Sequence, residues 1–144
     1  MKDLDRNKQT VRSLYEEVLS SHRPELADEL FAAEFPGGAG GFVAAIGELL
    51  RAFPDIRYTL LDLVAEGDRV AVRWQWTGTY REPFRNFAPT QATITDTGMG
   101  VFTLSGGRIV GVEIQTDRLG FLQQIGVVPA IPGLRAAVSS TPRT

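Results

Sequence analysis

The sequence predicts an α+β domain in which helices come first and antiparallel strands follow, the helices packing on one face of a strongly bent sheet. Two changes along the chain point there. Apolar residues recur at helical spacing as far as Phe53, and beyond Pro54 the period drops to two. Glycine-bearing turns, Glu66-Gly67-Asp68 and Ser105-Gly106-Gly107, then punctuate the second half as hairpins would.

From Asp3 to Ser20, Val11, Leu14, Tyr15, Val18 and Leu19 fall on one side of a helix, with Arg12, Ser13, Glu16 and Glu17 opposite. Pro24 suits the first turn of a short second helix carrying Leu26, Leu30 and Phe31, and His22 sits at the polar junction before it. Pro36-Gly37-Gly38-Ala39-Gly40-Gly41 is expected to be a flexible loop, because its glycines leave the backbone too free for regular structure. A third helix places Phe42, Val43, Ile46, Leu49, Leu50 and Phe53 together and stops at Pro54-Asp55.

Ile56, Tyr58, Leu60 and Val64 then alternate as a first strand. The second puts Val70, Val72, Trp74 and Trp76 on one face and Ala71, Arg73, Gln75 and Thr77 on the other. Residues 81–90 carry two prolines and two phenylalanines, Phe84 and Phe87, and read as a partly apolar loop able to act as a flap. Ala92–Leu104 and Arg108–Thr116 complete a meander of at least four strands. Asp117 is placed to cap a closing helix through Ile125. One domain, 1–126, is expected, followed by a tail, 127–144, loosely docked or disordered.

With 144 residues, 43% hydrophobic, and a formal net charge of −2, the chain can build a full core but lacks the basic block of a nucleic-acid or anionic-membrane binder. The polar start, Met1-Lys2-Asp3-Leu4-Asp5, lacks the apolar core of a signal peptide, and no apolar run approaches membrane-spanning length, so a cytoplasmic protein is expected. The absence of cysteine removes thiolate ligands, and the single histidine, His22, makes no metal site. A pocket inside the curved sheet, taking a hydrophobic small molecule, is where function is to be sought.

The chain resembles the SnoaL-like polyketide cyclases of the nuclear transport factor 2-like superfamily. The resemblance rests on Asn7-Lys8-Gln9-Thr10-Val11-Arg12-Ser13-Leu14-Tyr15, Phe53-Pro54-Asp55, Glu66-Gly67-Asp68-Arg69-Val70-Ala71-Val72-Arg73-Trp74 and Thr77-Gly78-Thr79. Ala88-Pro89-Thr90, Gly107-Arg108-Ile109-Val110, Asp117-Arg118-Leu119-Gly120 and Gln123-Gln124-Ile125-Gly126 extend it over nearly the whole length. It implies a cone-shaped α+β barrel around a largely apolar cavity and a cofactor-free reaction on a polyketide intermediate. It also implies a homodimer formed through the outer face of the sheet. The family's acid/base cluster on the last strand reads Gly111, Val112, Glu113, Ile114 here, with Gly100 near the position of the usual neighbouring-strand histidine. Ring closure by pericyclic reaction or conjugate addition therefore fits better than aldol closure. A non-catalytic binding protein, or an epoxide hydrolase-like enzyme with paired cavity carboxylates, are the alternatives.

Glu113 and Asp96 are the candidate catalytic acids. Counting alternately from Ile109 puts Gly111, Glu113, Gln115 and Asp117 on its face of the last strand, which the resemblance turns toward the cavity. The opposite face, Val110, Val112 and Ile114, is the more apolar one and would leave Glu113 in solvent. Asp96 interrupts a β-prone run, and could instead face water on the outer surface or pair with Arg73 across the sheet. Tyr15, Tyr58, Trp74, Trp76, Phe84, Met99, Gln115 and Asp117 are candidate substrate-binding groups, the aromatic residues as stacking surfaces and Tyr58 and Gln115 as donors to a carbonyl. Asp117 also fits a purely structural cap.

Overall fold

The computed structural model describes residues 3–130. Helix α1 (Asp3–Ser13) runs on without a break into a π-helical segment, Leu14–Leu19. The amide of Ser20 donates to the Tyr15 carbonyl at 3.0 Å and that of Arg23 to Val18 at 3.1 Å, five residues back in each case. A uniform helix was expected; the wider turn occurs where Leu14, Tyr15, Val18 and Leu19 all enter the core.

A 3-10 turn (Pro24–Leu26) leads into the short α2 (Ala27–Leu30), and Phe31 bridges to Ile109 at the sheet edge. Helix α3 (Gly38–Ala52) starts inside the glycine segment expected to be a loop. Gly37 and Gly38 take φ of 78° and 64°, the left-handed region that glycine enters without cost, and this turn launches the helix. The apolar face of α3 packs only partly on the core: Phe42, Val43, Ile46, Leu49 and Leu50 all remain half-buried. It is a roof with an open edge.

Four antiparallel strands follow in the order β1 (Arg57–Glu66), β2 (Arg69–Thr79), β3 (Thr93–Ser105) and β4 (Arg108–Thr116). Gly67, Gly106 and Gly107 all have positive φ in the two hairpin turns. Val70, Val72, Trp74 and Trp76 of β2 and Ile94, Asp96, Phe102 and Leu104 of β3 are buried on the inner face, as the alternation predicts. Two bulges break that alternation. In β1, Leu60 faces Trp74 but Asp62 faces Arg73, so Leu61 is inserted; in β4, Ile109 faces Leu104 but Gly111 faces Thr103, so Val110 is inserted.

Asp55, just before β1, accepts from the Thr79 amide and hydroxyl at 2.7 Å each and ties the start of β1 to the end of β2. Burial pushes its carboxyl up, but these bonds and the nearby Arg81 together outweigh that and hold it below the usual range. Thr10, buried in α1, donates to the Gly107 carbonyl at 2.8 Å and pins the helix to the β3–β4 turn. Helix α4 (Arg118–Gln124) closes the wide end, and Gln124 bonds the Thr95 backbone in both directions, at 2.6 and 3.0 Å. Val127 and Val128 fold back to the Leu122 carbonyl. The rest of the expected tail, 131–144, lies outside the described residues. Among the described residues no helix is long and apolar enough to cross a membrane.

Candidate active site

A pocket of about 410 Å³ opens between the end of α3, the β2–β3 loop, β3 and α4. Leu49, Phe84, Phe87, Phe121 and Leu122 make its apolar walls, and Asp96, Thr116, Arg85 and Arg118 supply the polar groups. Its size and composition are those of a small-molecule site, roughly 300–1,000 Å³ with few polar groups.

The flap over it is built locally. Phe84 and Phe87 exchange backbone hydrogen bonds across Arg85 and Asn86, whose φ of 52° and 66° give a tight left-handed turn. The buried Tyr80 hydroxyl donates to the Phe87 carbonyl at 2.5 Å and accepts from the Phe84 amide at 3.2 Å. Phe84 then packs edge-on against Phe121, 5.3 Å between centroids, and an ion pair at 3.0 Å joins Arg85 to Glu48 of α3. The loop is thereby held against both neighbouring helices.

Asp96 is 6% exposed on the inner face of β3, opposite Trp76, which in turn faces Tyr58. One carboxylate oxygen accepts from the Thr97 amide at 2.9 Å. Arg73 does not pair with it: Arg73 points to the outer face and bonds Asp62 at 2.6 Å. Deeper along the same face Tyr58 meets Tyr15 and Trp74 edge to face, and Tyr15 and Trp74 are tilted to each other, with centroids 5.2–6.3 Å apart. Burial holds both tyrosine hydroxyls well above their usual value, and for Tyr58 the neighbouring Tyr15 and the Asp96 charge push the same way. They are neutral donors at any ordinary pH. Among the described residues the buried Trp74 Nε1–H meets no acceptor at hydrogen-bond geometry, while the Trp74 side chain bears on the Tyr15 hydroxyl in the direction that lowers it, against the larger effect of burial.

The structure therefore brings Asp96 and Phe84 to the pocket, while Tyr15, Tyr58 and Trp74 cluster with one another outside the residues that line it. Trp76, 1% exposed, is core beneath the pocket, packed on Phe53 and Phe121. Three expectations are corrected. Glu113, Gln115 and Met99 lie on the outer face, Glu113 opposite Val101 and Gln115 opposite Met99, and Met99 is 58% exposed. For Glu113 and Gln115 the cause is the inserted Val110: beyond it, the residues sharing the inner face with Ile109 are Val112, Ile114 and Thr116 rather than 111, 113 and 115. Met99 faces outward by the plain alternation of β3, in which Asp96 and Phe102 face inward. Asp117 is the cap of α4, accepting from the Gly120 amide at 2.9 Å.

Leu49, Arg85, Thr116, Arg118, Phe121 and Leu122 were not among the expected site residues. The Asp117 cap signal already announced α4; what it lacked was the placement of that helix over the sheet mouth. On the inner face, Gly100 and Ile114 are cross-strand partners, and a Cβ on Gly100 would stand 3.2 Å from Ile114 Cγ1. Among the described residues no three His, Cys, Asp or Glu side chains cluster as a metal site.

A family model for SnoaL-like polyketide cyclases matches residues 9–125. Among solved structures, a proposed polyketide cyclase of Acidithiobacillus ferrooxidans is 30% identical, with a TM-score of 0.75 over 87% of this chain and 97% of that one. IdmH of Streptomyces antibioticus, another proposed polyketide cyclase, is 28% identical, with a TM-score of 0.74 over 84% and 99%. AclR of Streptomyces galilaeus, a proposed hydroxylase, shares the fold at 18% identity, with a TM-score of 0.81 over 90% and 87%. No curated protein matches the chain. The family match over most of the length, together with the fold, establishes that this chain belongs to the SnoaL-like polyketide cyclases.

Proposed function

We propose that this protein closes a ring in a linear or partly cyclised polyketide intermediate of natural-product biosynthesis, with Asp96 handling the proton. The observation that carries the reading is a carboxylate, 6% exposed, set in the wall of a largely apolar pocket. A carboxylate in such a place is suited to general acid/base work. Conjugate addition balances with proton moves alone: Asp96 takes the proton of the attacking carbon or hydroxyl, the new bond forms to the β-carbon of an enone, and the proton returns to its α-carbon. The product is an isomer of the substrate, and no cofactor enters the balance. Tyr15, Tyr58 and the Trp74 N–H lie further along the same face, outside the residues that line the pocket, and would stabilise negative charge only on a chain that extends to them.

Glu113 lies on the outer face, so the paired carboxylates of a hydrolase-like mechanism have no second member among the described lining residues. The usual family acid/base pair also lacks its groups, since Ile114 and Gly100 occupy the facing positions. Holding the chain in a reactive conformer therefore carries much of the rate.

The test is turnover of a synthetic enone-bearing polyketide chain, followed by chromatography with mass detection. Asp96→Asn is expected to lower kcat by about 10²–10⁴-fold, the ordinary worth of a positioned acid or base, while Glu113→Gln leaves it unchanged. Full turnover by Asp96→Asn would refute the assignment.

A homodimer through the outer sheet face is part of the same proposal. Val64, Met99 and Val101 are large apolar residues there, 61%, 58% and 40% exposed, and contiguous apolar surface of this kind marks interaction sites.

A further inference from the structure

We infer that the substrate is a free acid: an apolar chain whose carboxylate is gripped by Arg118 at the pocket mouth, while its reacting segment lies toward Asp96. This rests on the reading of the pocket as a polyketide site and specifies the chemical class of its occupant.

The pocket has two cations on its rim, and they differ. Arg85 is paired with Glu48 at 3.0 Å, an exposed ion pair between the flap and α3. Arg118 has no ion pair and no side-chain hydrogen bond among the described residues, yet it lines the same apolar cavity. The adjacent Asp117 directs a carboxylate oxygen to the Gly120 amide. An arginine facing an apolar cavity presents a planar fork of donors that matches a carboxylate in two parallel hydrogen bonds.

The position of Arg118 is fixed by packing. It is the first residue of α4, and α4 is anchored by the Asp117 cap, by Phe121 against Phe53, Trp76 and Phe84, and by Gln124 on the Thr95 backbone. Its side chain is exposed at the opening. The negative group on the other side, Asp96, is buried in the wall. A carboxylate is thus attracted to the mouth and repelled from the wall, which orients the chain in one direction. A neutral chain would have no such preference.

A free acid is the product of hydrolysis of an ester or a thioester, so a hydrolytic reaction is the class that supplies this substrate.

The experiment measures binding of two probes of equal length, decanoate and decanamide, by titration calorimetry with the intact chain. Wild type is expected to bind decanoate about fivefold more tightly than decanamide, equivalent to about 1 kcal/mol. That preference should shrink as salt is raised. Arg118→Gln should abolish the preference by weakening decanoate alone, and Arg118→Lys should restore part of it. Equal binding of the two probes by wild type, or equal weakening of both by Arg118→Gln, overturns the carboxylate assignment while leaving the apolar pocket standing. Failure of both probes to bind overturns the pocket reading and the inference together, whereas binding of decanoate alone upholds both.

Discussion

Gly98→Ala probes the packing of the inner wall. Gly98 faces Trp74 across β2 and β3, and the indole ring lies flat over the glycine. A Cβ added there would stand 2.8 Å from Trp74 Cε2, 2.5 Å from Cη2 and nearer still to Cζ2. Ordinary carbon contacts are about 3.5–4.0 Å, so the ring must retreat by about 1 Å or the strands must part. Trp74 is 3% exposed and wedged against Tyr15 and Tyr58, and the retreat would disturb both. Overpacking of this kind costs about 1–3 kcal/mol. For a domain of this size that lowers Tm by roughly 4–12 °C. Thermal unfolding followed by circular dichroism gives the shift, and near-ultraviolet ellipticity reports the displaced indole. Trp74→Phe in the Gly98→Ala background removes the overlapping part of the ring, and the double mutant should recover about 1 kcal/mol relative to additivity. An unchanged Tm with an unchanged near-ultraviolet spectrum would refute the packing argument.

The buried tyrosines make a pH prediction. Their hydroxyls are raised above the ordinary value of 10.0, so the stability they contribute is complete below that pH and is lost as the pH rises above it. Absorbance titration of tyrosinate should show Tyr15 and Tyr58 ionising only as the protein unfolds, with Tyr15→Phe and Tyr58→Phe identifying the late step; ionisation of either near pH 10 in folded protein would contradict their placement. For the outer face, Met99→Lys together with Val101→Lys is expected to convert a dimer to a folded monomer in light scattering. A monomeric wild type would remove the dimer from the proposal.

Much of the fold was legible because it depends on local periodicity. The helical faces of α1 and α3, the inward Val70, Val72, Trp74 and Trp76, the glycine turns and the Asp117 cap each follow from residues close together in sequence. Asp96 could be singled out as a charge in a β-prone run, but its partner could not, because the choice between water, Arg73 and a cavity depends on strands brought together from afar. The glycine segment before α3 reads as a loop because composition describes freedom, and freedom does not forbid a helix whose later turns are held by packing.

The facing of β4 is the sharpest case. Alternation makes Glu113 a companion of Ile109, and a single inserted residue, Val110, undoes that for every position after it. A bulge is a property of two strands in register, so nothing in β4 alone announces it. Arg118 is similar: its place at the pocket mouth comes from α4 folding back over the sheet, anchored by Gln124 on the Thr95 backbone 29 residues away. Local chemistry settled which segments are helices and strands and which faces are apolar. Long-range pairing settled which carboxylate looks into the cavity and which cation guards it, because those depend on distances between residues the chain keeps far apart.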